Sequence, residues 1–269
     1  MRRLVILLGF LALPVSACAK SDAGDSARRA SPPASPAAAE PDYSDWNRLL
    51  ATHYDPVRGM NYAGLKARDS AALRDLRSAL GRVDAARLSP KQQLAYWINL
   101  YNVSVVGVVV DHYPVESILD VSSNRLMRHD VFKRPWVAVP SGRISLNDIE
   151  NEKIRVVFKD PRIHFAINCA AKSCPPIRSE AYAGARIDAQ LDDQVRRFAA
   201  GPGVRVEKRG DRTIVHTSKI MKWFRDDFEK WGGGEEAFLR RYLPREKAAQ
   251  SSIALRYDDY DWTLNDWRR

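Results

Sequence analysis

The densest reactive stretch of the chain runs from Asp160 to Pro175 (DPRIHFAINCAAKSCP), where His164 sits in an apolar run and Cys169 and Cys174 follow five residues apart. Two chemistries compete for the cysteines. In an oxidising compartment a structural disulfide is the ordinary fate of such a pair. Closing so small a loop is worth roughly 2 kcal/mol in the loop-entropy model, enough to pin a loop and too little to staple a domain. In the other reading one sulfur is a nucleophile, drawn toward thiolate by an imidazole or a helix N-terminus, with Lys172 adding positive potential. His164 is then the candidate base, and Asn102 or Glu150 the candidate orienting group. Strand alternation works against a direct local couple, because His164, Ala166 and Asn168 share one face and Cys169 begins on the other. Inert buried thiols are the third reading.

Other combinations carry less. The five histidines, His53, His112, His129, His164 and His216, show no HExxH spacing, and no Cys–His grouping has zinc-site spacing. Neither a glycine-rich phosphate loop nor a Gly-x-Ser-x-Gly elbow is present, so no metal and no cofactor is expected. Asp226-Asp227, near Trp223 and Phe224, and the group Asp258, Asp259 and Asp261 read as solvated faces without the EF-hand pattern. Asn99 and Asn102 lie three apart on one face of an apolar segment. Buried there they need partners, since an unpaired polar group costs about 1–3 kcal/mol. Helix-to-loop hydrogen bonds would satisfy them, or one would orient a catalytic group.

The elements that must position these residues are marked by their start and stop signals. Ser89-Pro90 opens a helix, LAYWINLYNVSVVGVVVDHY, that is apolar nearly all round and ends at Tyr113-Pro114. Its asparagines and its Asp111-His112 end favour a buried central helix over a membrane span. Shorter helices are expected over Ser44–His53 and Ser70–Leu80, after the capping box at Ser145, and over Ile187–Ala200, Lys219–Trp231 and Glu235–Leu243. Strands are expected at Trp136–Val139, Ile163–Asn168 and Ile253–Tyr257, with a hairpin across Arg209-Gly210-Asp211. Without a βαβ rhythm the class is α+β: a single domain over 43–269 with a long apolar central helix, surrounding helices and a small mixed or antiparallel sheet.

Composition agrees with a globular domain. With 45% hydrophobic and 28% charged residues and 3 cysteines in 269, the chain is neither disordered, collagen-like nor a disulfide-dense miniprotein. Its 43 basic and 33 acidic residues give a formal charge of +10, spread without like-charge blocks. Lacking an aromatic-studded basic patch, it is not expected to bind nucleic acid.

The N-terminus reads as an address. Arg2 and Arg3 precede an apolar run from Leu4 to Pro14 that is too short to cross a ~30 Å hydrocarbon core. The run closes on Val15-Ser16-Ala17-Cys18, which resembles a bacterial lipoprotein signal (1–18) with Cys18 as the lipidated residue. Ala19, in place of an aspartate, favours the outer membrane and a periplasm-facing domain, with the inner membrane as the other address. Residues 19–42, rich in Pro, Ala and Ser, read as a flexible tether.

Several long motifs in order complete the reading: AYWINLYN (95–102), ISLNDIE (144–150), RIHFAINCAAKSCP (162–175), SKIMKWFRDDF (218–228) and YDWTLN (260–265). Together they resemble the domain-of-unknown-function 547 family over about residues 45–265. One departure stands out, Asn151 after Ile149-Glu150 where many members have histidine. The resemblance implies a bacterial envelope protein, and the fusion of relatives to glutaredoxin-like domains adds weight to thiol chemistry. Two functions are therefore carried forward: a non-catalytic domain binding a peptide, glycan or envelope protein, with Cys169 and Cys174 bridged, and a thiol-dependent hydrolase or acyl-transferase.

Overall fold

The computed structural model describes residues 38–122, 128–210, 212–245, 247 and 253–267. The signal sequence with Cys18, and the assigned tether as far as residue 37, lie outside the described residues.

Four helices open the domain: α1 (Ser44–His53), α2 (Tyr62–Arg68) and α3 (Ser70–Gly81) surround α4 (Pro90–His112), and the two-residue strands β1 (Tyr54–Asp55) and β2 (Gly59–Met60) pair between α1 and α2. A capping box starts α4, with Ser89 and Gln92 exchanging hydrogen bonds and Pro90 at the first helical position. Every residue from Leu94 to Val110 is buried. Length and composition would let α4 cross a membrane, but its apolar surface is used up against protein on all sides.

The hairpin β3 (Val137–Val139) and β4 (Gly142–Ile144) leads into α5 (Leu146–Asp148), which continues through a π-helical stretch, Ile149–Arg155, into α6 (Val156–Phe158). After it come α7 (Ile187–Ala200), β5 (Val204–Arg209), β6 (Arg212–Ser218), α8 (Lys219–Trp223), α9 (Arg225–Trp231), α10 (Gly234–Tyr242) and β7 (Ile253–Asp258). The sheet β5-β6-β7 is mixed: β5 runs antiparallel to β6, and β7 parallel to it. The α+β class with a buried central helix and a small sheet is what the sequence predicts.

Two expectations are corrected. Ile163–Asn168 is not a strand. Asp160 caps a 3₁₀ turn, Pro161–Phe165, by accepting from the Arg162 N–H at 3.0 Å, and Pro161 starts it. Likewise the helix over 219–231 is two helices, interrupted at Phe224 (φ −111°, ψ 26°), so that α9 begins afresh with Asp226 and Asp227 in its first turn.

Two apolar clusters form the interior. One is centred on α4. The other is aromatic, with Phe165, Phe198, Phe228 and Phe238 packed together, and lies among α7, α9, α10 and the mixed sheet. Residues 260–267 form a strap that binds distant parts of the chain. Its backbone pairs with Ser173 and Lys172 through Asp261 and Thr263, with Glu116 through Leu264, with Ala170 through Asn265, and with Met60 through Asn265 and Trp267. Gly59 (φ +92°) is required where the strap passes, because a Cβ there would lie 2.2 Å from the Asn265 carbonyl oxygen.

Candidate functional site

Between the α4-centred cluster and the aromatic one lies a hollow of about 500 Å³. Its inner wall is Tyr101 from α4, Glu150 from the π-helical stretch, and His164 and Ile167 from the 3₁₀ turn and the residues after it. Trp223 and Phe224 from the α8–α9 break, with Tyr260 and Trp262 from the strap, make the outer wall. Trp223 is 49% exposed, and Trp223, Tyr260 and Trp262 pack on one another with centroids 4.8–6.4 Å apart.

Cys169 and Cys174 line the same hollow and are joined as a disulfide. Both are half-buried. The Tyr260 hydroxyl lies 3.2 Å from the sulfur of Cys169 and 3.1 Å from that of Cys174, and the Cys169 N–H donates to the Cys174 sulfur at 3.0 Å. Burial pushes the Tyr260 phenol well above its ordinary range, so it stays protonated and available as a donor.

His164 makes no hydrogen bond to either sulfur among the described residues. Its Nε2 lies 2.7 Å from Asp227 Oδ2, and Arg155 grips the same carboxylate at 2.8 and 3.1 Å. The imidazole is stacked on Phe224, with centroids 3.9 Å apart, and the Arg155 guanidinium lies 4.6 Å from the centre of that ring. Burial outweighs Asp227 and holds the His164 pKa below its ordinary value, so the ring is neutral. Asp227 is held far below the usual carboxylate range by its bonds to His164 and Arg155, against the opposing effect of partial burial. With Nε2–H directed at Asp227, Nδ1 carries the lone pair, and no described residue hydrogen-bonds to it.

Glu150 sits on the same inner wall. Loss of solvent pushes its carboxyl up to about 7, with Asp227 adding to the shift and Arg155 opposing it. Asn151, the departure from the family pattern, donates to Asn147 and accepts from Arg155, and so steadies the arginine that holds Asp227.

Asn102 does not line the hollow. Its Nδ2 donates to the Ala166 carbonyl and its Oδ1 accepts from the Asn168 N–H, both at 2.9 Å. Asn99 makes the same two-ended clamp on Tyr182, at 2.8 and 2.9 Å. A carboxamide presents one donor and one acceptor side by side, as a neighbouring strand does, so each residue satisfies a buried loop backbone. Asn168 continues the scaffold by donating to Pro175 and accepting from Ala170 and Asn265, and Ala170 takes a positive φ of 65° in the disulfide loop.

Five of the residues singled out beforehand thus stand close in the fold. Glu150, His164, Cys169 and Cys174 share the hollow, and Asn102 holds the loop that carries three of them. Asp227, read beforehand as part of a solvated face, is the partner of His164. Arg155, Tyr260 and Trp262 were not singled out. A cue for Asp227 was present in the rings beside it, since a carboxylate next to Trp223 and Phe224 is poorly placed for open solvent. Among the described residues no three His, Cys, Asp or Glu side chains converge as a metal site.

Residues 85–199 match the family model DUF547, described as a protein of unknown function. Over this stretch the chain is similar to the DUF547 family. The match bears out the resemblance over those residues and takes in α4, Glu150, His164 and both cysteines. The outer wall, from Trp223 to Trp262, lies beyond the matched DUF547 residues. No curated protein and no solved structure matches the chain.

Proposed function

We propose that this protein is a cell-envelope lipoprotein, anchored through Cys18 in the outer membrane and facing the periplasm, whose folded part binds a peptide, glycan or protein partner without transforming it. The observation that carries the binding role is the hollow. Its volume of about 500 Å³ and ring-lined outer wall suit a small ligand or a protruding side chain. The anchoring rests on the Arg2-Arg3 leader and the small residues before Cys18, and the tether on residues 19–42.

The thiol-dependent hydrolase or acyl-transferase has less behind it. Both sulfurs are bonded to each other, and the candidate base His164 faces Asp227 rather than a sulfur. Alkylation of the full-length chain, purified in detergent without reductant, separates the two functions. Cys169 and Cys174 are expected to stay unlabelled while intrinsic tryptophan fluorescence responds saturably to envelope-derived peptides or glycan fragments. A thiol at either position that alkylates faster than free cysteine at neutral pH overturns the binding reading. Cys18→Ala is expected to release the chain from the membrane fraction, and retention there would remove the anchor.

A further inference from the structure

Two polar groups on the inner wall of the hollow have no hydrogen-bond partner among the described residues. One is the Glu150 carboxyl group. The other is His164 Nδ1, on a side chain that is almost wholly buried. Both are acceptors: an ionised carboxylate has only lone pairs to offer, and Nδ1 is left with its lone pair because Nε2 carries the ring proton toward Asp227. The same hollow is lined by the rings of Trp223, Tyr260 and Trp262, and the electron-rich faces of aromatic rings attract cations. The nearest fixed cation, Arg155, is already committed to Asp227. Lys133 lies at the exposed rim.

Unpartnered acceptors and aromatic rings lining one hollow are complementary to a ligand that carries positive charge and N–H donors on an apolar stem. We propose that the hollow recognises a primary alkylammonium group, with its N–H bonds on Glu150 and His164 Nδ1 and its methylenes against Trp223 and Trp262. This inference rests on the binding reading and names its ligand class. The lysine side chain of a peptide and a free diamine share this chemistry.

The pH dependence follows from the groups around Glu150. Arg155 favours its ionised form and Asp227 opposes it, the Tyr101 and Tyr260 phenols stay protonated, and His164, His129 and Lys133 share the hollow. With the Glu150 carboxyl at about 7, ammonium binding tightens roughly tenfold from pH 6 to pH 8 as the carboxylate forms.

The test titrates the full-length chain in detergent, followed by tryptophan fluorescence, with Nα-acetyl-lysine methylamide, its Nε-acetylated counterpart, cadaverine and pentanol. Both amines are expected to bind saturably. The neutral counterparts should bind at least tenfold more weakly, and the ratio of the two amines assigns peptide or free diamine as the source. Glu150→Gln should abolish the pH dependence. Trp223→Ala should weaken binding while keeping that dependence, and an unchanged melting profile shows that the variant is folded. Equal binding of the free and acetylated lysine, or a pH-independent wild type, overturns the ammonium inference. Saturable binding of neutral peptides or glycans alone overturns it too, but leaves the binding domain standing. No saturable binding of any probe by the folded chain removes both.

Discussion

His53 at the end of α1 and His164 before the cysteines are held in nearly the same way. Each is buried, each faces an aspartate through Nε2 at 2.7 Å, and each aspartate also receives an arginine, Asp69 from Arg48 and Asp227 from Arg155. In both rings Nδ1 has no hydrogen-bond partner among the described residues. The difference lies in what adjoins them. His164 lines a hollow with Glu150 and a disulfide, whereas His53 does not line it. A histidine–aspartate–arginine set is therefore first of all a way to bury an imidazole, since it supplies the ring N–H with an acceptor and the acceptor with a counter-charge. Under the proposed binding role it becomes a recognition element at His164, where a hollow adjoins it.

Substitutions separate the two settings. The largest effect is expected at Asp69→Ala, which leaves the N–H of a fully buried ring unpaired and should remove about 3 kcal/mol from urea-induced unfolding. Ligand affinity of the molecules that remain folded should be unchanged, and a parallel loss of affinity would erase the difference between the two histidine settings. Asp227→Ala is expected to lose about as much, since its carboxylate is no more exposed than that of Asp69, and in addition to abolish binding in the hollow. Wild-type affinity in that variant would show that the orientation of His164 is irrelevant to recognition.

Glu150→Gln should do the opposite to stability. The folded-state value is raised to about 7 from an ordinary 4.5, so the wild type loses stability as pH rises through that interval and its carboxyl ionises. The variant lacks this loss and should be more stable by about 3 kcal/mol at pH 8, with no gain below about pH 4.5. Denaturation midpoints at the two pH values check the sign, and a gain at low pH would contradict it. The smallest effect is expected at the half-exposed Trp223→Ala, within about 0.5 kcal/mol of wild type in stability but much weaker in binding, read from the two titrations side by side.

Local signals made the framework of this fold readable in advance. Ser89-Pro90 and the unbroken apolar run locate α4, and the Gly210 turn locates the β5–β6 hairpin. Two asparagines on an apolar face implied partners, and both are found clamping loop backbones. Non-local pairing was not readable. The Ile163–Asn168 run has the composition of a buried strand, but its hydrogen bonds go to a carboxamide on α4 and into its own 3₁₀ turn, so no neighbouring strand is needed. The pairing of His164 with Asp227 spans 63 residues and that of Cys169 with Tyr260 spans 91, separations over which no periodicity carries information. Asp160-Pro161 marked the end of one helix and equally the start of the next turn, a double meaning that local rules do not resolve.

The strap has a consequence for biosynthesis. Tyr260 and Trp262 are supplied by a stretch that is synthesised after α4 and the disulfide loop, yet it hydrogen-bonds residues made earlier, near positions 60, 116 and 170. A ribosome-bound chain would thus have α4 and the disulfide loop available while one side of the hollow was still missing. A premature stop before position 260 would yield a product that has the residues of α4 and the disulfide loop but lacks Tyr260 and Trp262 on the wall of the hollow.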